Sequence, residues 1–167
     1  MLFYFIFILK IKSTSLKEYY VIANRGIHDH FLNNFQDIIS LKEGNLDNLQ
    51  KDDPKVVKFD EKKENHYLIK LGKSFIYREP DALVLKGKEL IPDDPGFLFE
   101  MVPCQGYGYQ IKNGDKCFEV GEDNGPLDGY EILLSECAKN DNQVFILEPV
   151  KLSNEPTSDL EREAKLF

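Results

Sequence analysis

Side chains that could do chemistry are few and scattered in this chain. His28 and His30 stand two apart, which puts both on one face of an extended strand, where two imidazoles can begin to hold a metal ion. Two ligands are not a site, and with no cysteine or third histidine at ligand spacing they read as solvated or loop histidines. The acids Glu122, Asp123 and Asp128, and the pair Asp93 and Asp94, lack the Asp-x-Asp-x-Asp-Gly order of a calcium loop and read as solvated turns. Carboxylates are abundant, but sequence places no pair of them at the separation a glycosidase needs. The sequence contains no Gly-x-Ser-x-Gly, phosphate-binding glycine loop or His-Glu-x-x-His, and no Asn-x-Ser/Thr acceptor for glycosylation. The expectation is a binding protein rather than an enzyme, with no cofactor and no metal.

The elements that would carry a binding surface must come from a single core. At 167 residues, 42% hydrophobic and 12% aromatic, the chain suits one domain. A net charge of -8 disfavours nucleic acid, whose binding draws on Lys and Arg displacing counterions, and no run of Lys or Arg exceeds two. The apolar run Met1 to Leu9, followed by Lys10, Lys12 and the small residues Ser13, Thr14 and Ser15, has the length of a secretory apolar region. It is well short of the roughly 20 residues a membrane-spanning helix needs. Ser13 and Ser15 fit the -3 and -1 positions of a cleavage after Ser15, so residues 1–15 are expected to be a signal peptide and the protein to be secreted. The alternative is a buried first strand. No later segment could cross a bilayer.

The clearest pattern is internal repetition. Tyr67-Leu-Ile-Lys-Leu-Gly-Lys73 returns as Tyr109-Gln-Ile-Lys-Asn-Gly-Asp-Lys116, with a fainter copy at Tyr20-Val-Ile-Ala-Asn-Arg-Gly26. Each copy alternates inward and outward residues, the period of a half-buried strand. A second short apolar stretch follows each: 27–31, 74–77 and 117–120. A third lies at 38–41, 82–85 and 131–134, and a fourth at 56–59, 96–99 and 143–147. Three modules of about four strands cannot each bury an apolar face alone, so they must share one core. The predicted fold is all-β, a β-trefoil of three four-stranded repeats over about 19–65, 66–108 and 109–150 within a domain of 16–150. Closure would remove free sheet edges. A β-sandwich or a solenoid are the competing architectures. Lys42 to Pro54 is expected to be a surface loop or one helical turn, and the tail 151–167 to hold a short helix after the capping-box spacing Ser158-Asp-Leu-Glu161.

In the third module Cys117 and Cys137 lie at equal distances from Leu127, inside the turn-forming run Gly125-Pro-Leu-Asp-Gly129. A hairpin about that turn would bring the two sulfurs face to face, which in an exported chain predicts a disulfide; two buried thiols are the alternative. Cys104 is left over as a free thiol or an intermolecular partner.

Gly114-Asp-Lys-Cys-Phe-Glu-Val120, Ile132-Leu-Leu-Ser-Glu-Cys137 and Asn142-Gln-Val-Phe145 together resemble one unit of the ricin-B lectin family, with Phe145 in place of the Trp of its Gln-x-Trp signature. The resemblance is good over Tyr109 to Val150, weak over Tyr67 to Met101 and architectural over Tyr20 to Phe59. It implies a β-trefoil and, in most members, binding of galactose-type sugars. Carried over, it makes Glu119 the acid that accepts from ring hydroxyls and Asn142 and Gln143 the polar pair. Ser135 stands where the stacking ring belongs, leaving Tyr130 or Tyr107 to supply a ring from nearby. The implied carbohydrate site is therefore Glu119, Tyr130, Asn142 and Gln143. The plainer alternative is that Gln143 and Phe145 only hold the core together. The expected partners are glycans or cell-surface glycoproteins at a cell or spore surface. The rival reading is a sugar-independent protein-contact trefoil, a coat component or protease inhibitor, working through loops such as Lys42 to Pro54 or Pro92 to Pro95.

Overall fold

The computed structural model describes residues 18–153. The expected signal peptide and the expected C-terminal helix therefore lie outside the described residues. Twelve strands make one antiparallel sheet. They are β1 (Tyr19–Asn24), β2 (Ile27–Phe35), β3 (Ile38–Glu43), β4 (Val57–Lys63), β5 (His66–Leu71), β6 (Ser74–Arg78), β7 (Leu85–Lys88), β8 (Leu98–Pro103), β9 (Tyr109–Asn113), β10 (Lys116–Asp123), β11 (Tyr130–Glu136) and β12 (Phe145–Val150). Short 3-10 turns, Pro95–Phe97 and Asp141–Gln143, precede β8 and β12.

Pairing closes six of these strands into a ring: β1 with β4, β4 with β5, β5 with β8, β8 with β9, β9 with β12, and β12 back to β1. The other six form the hairpins β2–β3, β6–β7 and β10–β11, each joined to the ring through its first strand. The hairpins also touch one another, where Ile38 faces Lys86, Glu131 faces Ser40, and Val84 bridges to Leu133.

Alternation along the strands fills the ring. Ile22, Val57, Ile69, Phe99, Ile111 and Phe145, one from each ring strand, are fully buried in a single cluster. Leu32, Leu41, Ile76, Leu85, Phe118 and Leu134 from the hairpins close it, with Phe118 edge-on to Phe99 at 5.3 Å and to Phe145 at 6.1 Å. β1 is buried on both faces. Val21 and Ala23 point away from the ring into a second cluster with Phe31, Leu49, Val56 and Leu152.

That second cluster revises the reading of Lys42 to Pro54. The segment has turns and no helix, but it is pinned rather than free, since Leu49 is 2% exposed and its carbonyl accepts from the Ser153 N–H at 2.9 Å. A second correction concerns the stretch 82–85. The strand of that hairpin lies at Leu85–Lys88, because its Gly87 passes so close to β2 that a Cβ there would stand 2.5 Å from Asn34 Nδ2. The apolar residues Leu83 and Val84 are left at the surface.

Candidate functional site

The place where a sugar was expected is built by β10 and the turn that leads into β12. Asn140 caps that turn, its Oδ1 accepting from the Gln143 N–H at 3.1 Å, and the cap turns the Gln143 side chain inward. There Gln143 Nε2 donates to Glu119 Oε2 at 2.9 Å and to the Glu136 carbonyl at 2.8 Å. Its Oε1 accepts from the Ala138 N–H at 2.6 Å and from Gln110 Nε2 at 3.2 Å. An amide has two donors and two acceptor positions, so all four are used inside the fold. At 1% exposure Gln143 offers nothing to a ligand.

The structure thus brings Glu119 and Gln143 into contact. Asn142 lies beside them, exposed, with its backbone carbonyl accepting from Asn24 Nδ2 at 3.2 Å. Tyr130 is not part of this group. Residues 132 and 134 of β11 face the core and Glu119 lies opposite outward-facing Leu133, so Tyr130 is on the core face, edge-on to His30 at 5.3 Å. Tyr107 is exposed at φ 114°, and its carbonyl accepts from Arg25. Glu119 Oε1 has no partner among the described residues. Among the described residues, neither Tyr130 nor Tyr107 makes a hydrogen bond with Glu119, Asn142 or Gln143.

The corresponding place on the β6–β7 hairpin is closed by different chemistry. Phe97, the last residue of its 3-10 turn, packs against Tyr77 with ring centres 4.5 Å apart and planes tilted by 44°, and Tyr77 donates to Asp94 Oδ2 at 3.2 Å. Burial foremost, and then the Asp94 bond, raise the Tyr77 hydroxyl pKa above 10.0. Both rings are buried, so neither is a platform for a sugar.

The disulfide joins Cys117 and Cys137, with Cα atoms 5.0 Å apart. The sulfurs are not in directly opposed positions, however. Cys117 faces Ser135, and a register shift between Val120 and Asp123 moves the hairpin's centre away from Leu127, so the bond runs diagonally between residues on one face. Cys104 is a half-buried free thiol. His30 Nδ1 lies 2.8 Å from the His28 carbonyl, and among the described residues no group of three or more His, Cys, Asp or Glu side chains converges as a metal site. No described helix is long and apolar enough to cross a membrane.

The feature that sequence reasoning missed is at the hairpin end. Where β3, β7 and β11 meet, a depression of about 570 Å³ is lined by Phe35, Ile38, Ser40, Val84, Glu131 and Ile132, among others. Phe35, Ile38, Val84 and neighbouring Leu83 and Leu127 are 55%, 65%, 45%, 64% and 84% exposed. The signal was present in Ile38-Ile39, since two adjacent apolar residues on one strand cannot both face the core. The run 82–85 hid the rest by reading as a buried strand.

No known family's sequence profile matches the chain, and no curated protein does. Solved structures do. The designed threefold-symmetric protein ThreeFoil superposes at TM-score 0.63 with 14% identity over 79% of this chain and 99% of its own. The BEL β-trefoil gives 0.61 with 11% identity over 80% and 93%. The cytolethal distending toxin of Haemophilus ducreyi gives 0.65 with 12% identity over 87% and 91%. With the closed ring and its three hairpins, these likenesses define the class: the chain folds as a β-trefoil.

Proposed function

We propose that this protein is an exported, non-enzymatic binding module, a ricin-B-type trefoil of three four-stranded repeats that holds a protein partner through its hairpin end and does so without a sugar. Recurrent contacts support the repeats. The Arg25 N–H after β1 donates to the Val144 carbonyl at 2.9 Å, as the Gly72 N–H after β5 does to that of Val56, also at 2.9 Å. Asn24 Nδ2 donates to the Val144 carbonyl at 3.1 Å, as Asn113 Nδ2 does to that of Leu98 at 2.9 Å.

The observation that carries the protein-contact reading is the contrast between two places. Gln143 saturates its own hydrogen bonds where a sugar's hydroxyls would go, while five large apolar side chains stand exposed at the hairpin end. Exposed apolar clusters of this kind mark interaction surfaces. Carbohydrate binding is a second reading, favoured by the free Glu119 Oε1 beside exposed Asn142. Binding of the exported protein to cells, measured in excess galactose or lactose, separates the two. Persistence is expected. Abolition by sugar, together with loss in Glu119→Ala, would replace the protein-contact reading with the lectin one.

A further inference from the structure

We infer that the hairpin-end depression receives an apolar side chain presented by a basic segment of a partner protein, a strand or loop in which Leu, Ile or Phe is flanked by Lys or Arg. The inference rests on the protein-contact reading and names that partner's chemistry. Three features of the depression lead to it.

Its walls are mostly apolar, and Ile38 and Val84 hold their side chains at its mouth. About 570 Å³ is within the range of pockets that take up a whole side chain or small ligand.

The charges at the mouth are unequal in what they already do. Both cations are engaged: Lys42 Nζ donates to the Leu127 carbonyl at 2.7 Å and stands 4.9 Å over the Phe35 ring, and Lys86 Nζ pairs with Glu79 at 3.0 Å. The carboxylates are free, since Asp128 and Glu131 on the wall and Asp37 at the adjacent hairpin tip form no ion pair among the described residues. Glu79, Asp128, Glu131 and Asp37 outnumber Lys42 and Lys86 here, so within a chain of net charge -8 this end is negative and complements a cation.

The floor carries a hydroxyl that lacks a partner. Ser40 is 4% exposed, alternates with Ile39 and Leu41 away from the core, and its Oγ forms no hydrogen bond. A buried polar atom left in this state is costly, which marks the floor as a place where the packing of this end is incomplete.

The test titrates the isotope-labelled exported protein with an eight-residue peptide of alternating leucine and lysine, alongside serine–lysine and leucine–glutamate versions. Amide shifts should gather at Ser40, Val84, Glu131 and Ile132 with the leucine–lysine peptide, with at least tenfold weaker binding of either control. Val84→Lys and Glu131→Lys, both at exposed positions and so compatible with folding, should each weaken it at least tenfold. Equal binding of serine–lysine, shifts centred elsewhere, lactose shifting these same amides, or self-association through them in sedimentation would each overturn the inference. If the peptide leaves these amides unmoved while cell binding still survives excess lactose, the inference falls and the protein-contact reading stands. Cell binding abolished by lactose with these amides unmoved sinks both.

Discussion

Gln143 carries the two readings the sequence left open, a sugar contact and a fastening of the core. The ricin-B resemblance put it in one site with Glu119, and the two are in contact in the fold. Sequence does not say whether such an amide faces a ligand or closes on its own backbone. In the fold it ties β10, the end of β11 and the turn before β12 together. Gln143→Ala would leave the part-buried Glu136 carbonyl and Ala138 N–H without their side-chain partner, at a cost of about 1–3 kcal/mol. Asn142→Ala, whose exposed side chain makes no bond among the described residues, should stay within about 0.5 kcal/mol of wild type. Urea denaturation measures both. Equal effects of the two would mean that the buried amide is not the fastening described here.

Elements were the most legible level. All twelve strands were expected, eleven of them overlapping the observed strand by two residues or more, because period-two alternation survives in short segments. The exceptions have physical causes that act across the molecule. The stretch 82–85 has an apolar run fit for a buried strand, but the close passage of Gly87 at Asn34 sets the pairing a few residues later. Cys117 and Cys137 were paired correctly on a register that the shift in β10 displaces. The disulfide still closes a separation of 20 residues, which in the chain-entropy account is worth about 3 kcal/mol. The double variant Cys117→Ala with Cys137→Ala is expected to lose about that much in denaturant unfolding, and adding reductant to wild type should reproduce the loss. Cys104, outside the bond, should contribute nothing to the difference. A variant as stable as wild type would mean that the hairpin is already held by its ladder and by Phe118.

At the scale of the whole molecule, the ring decides what can fold apart from what. The threefold sequence pattern made a shared core foreseeable, but the coating of β1's outer face by Leu49 and Leu152 was not, because the partners lie about a hundred residues apart. β1 thereby sits between two apolar clusters and pairs with β2, β4 and β12. No subset of strands keeps both a filled interior and satisfied edges once β1 is loosened. Ile22, at 0% exposure in the central cluster, is the residue on which this turns. Ile22→Ala removes buried methyl groups and leaves a cavity in a packed ring, which costs about 2–5 kcal/mol. Because the loss falls on a strand common to the ring and a hairpin, it should lower stability throughout instead of melting one module. Tyrosine fluorescence and far-UV circular dichroism should therefore trace one coincident transition in wild type and in the variant, with the variant's midpoint moved to lower urea and its slope unchanged. Two separated transitions in the variant would mean that the hairpins hold together without the ring, and that the core is three local cores rather than one.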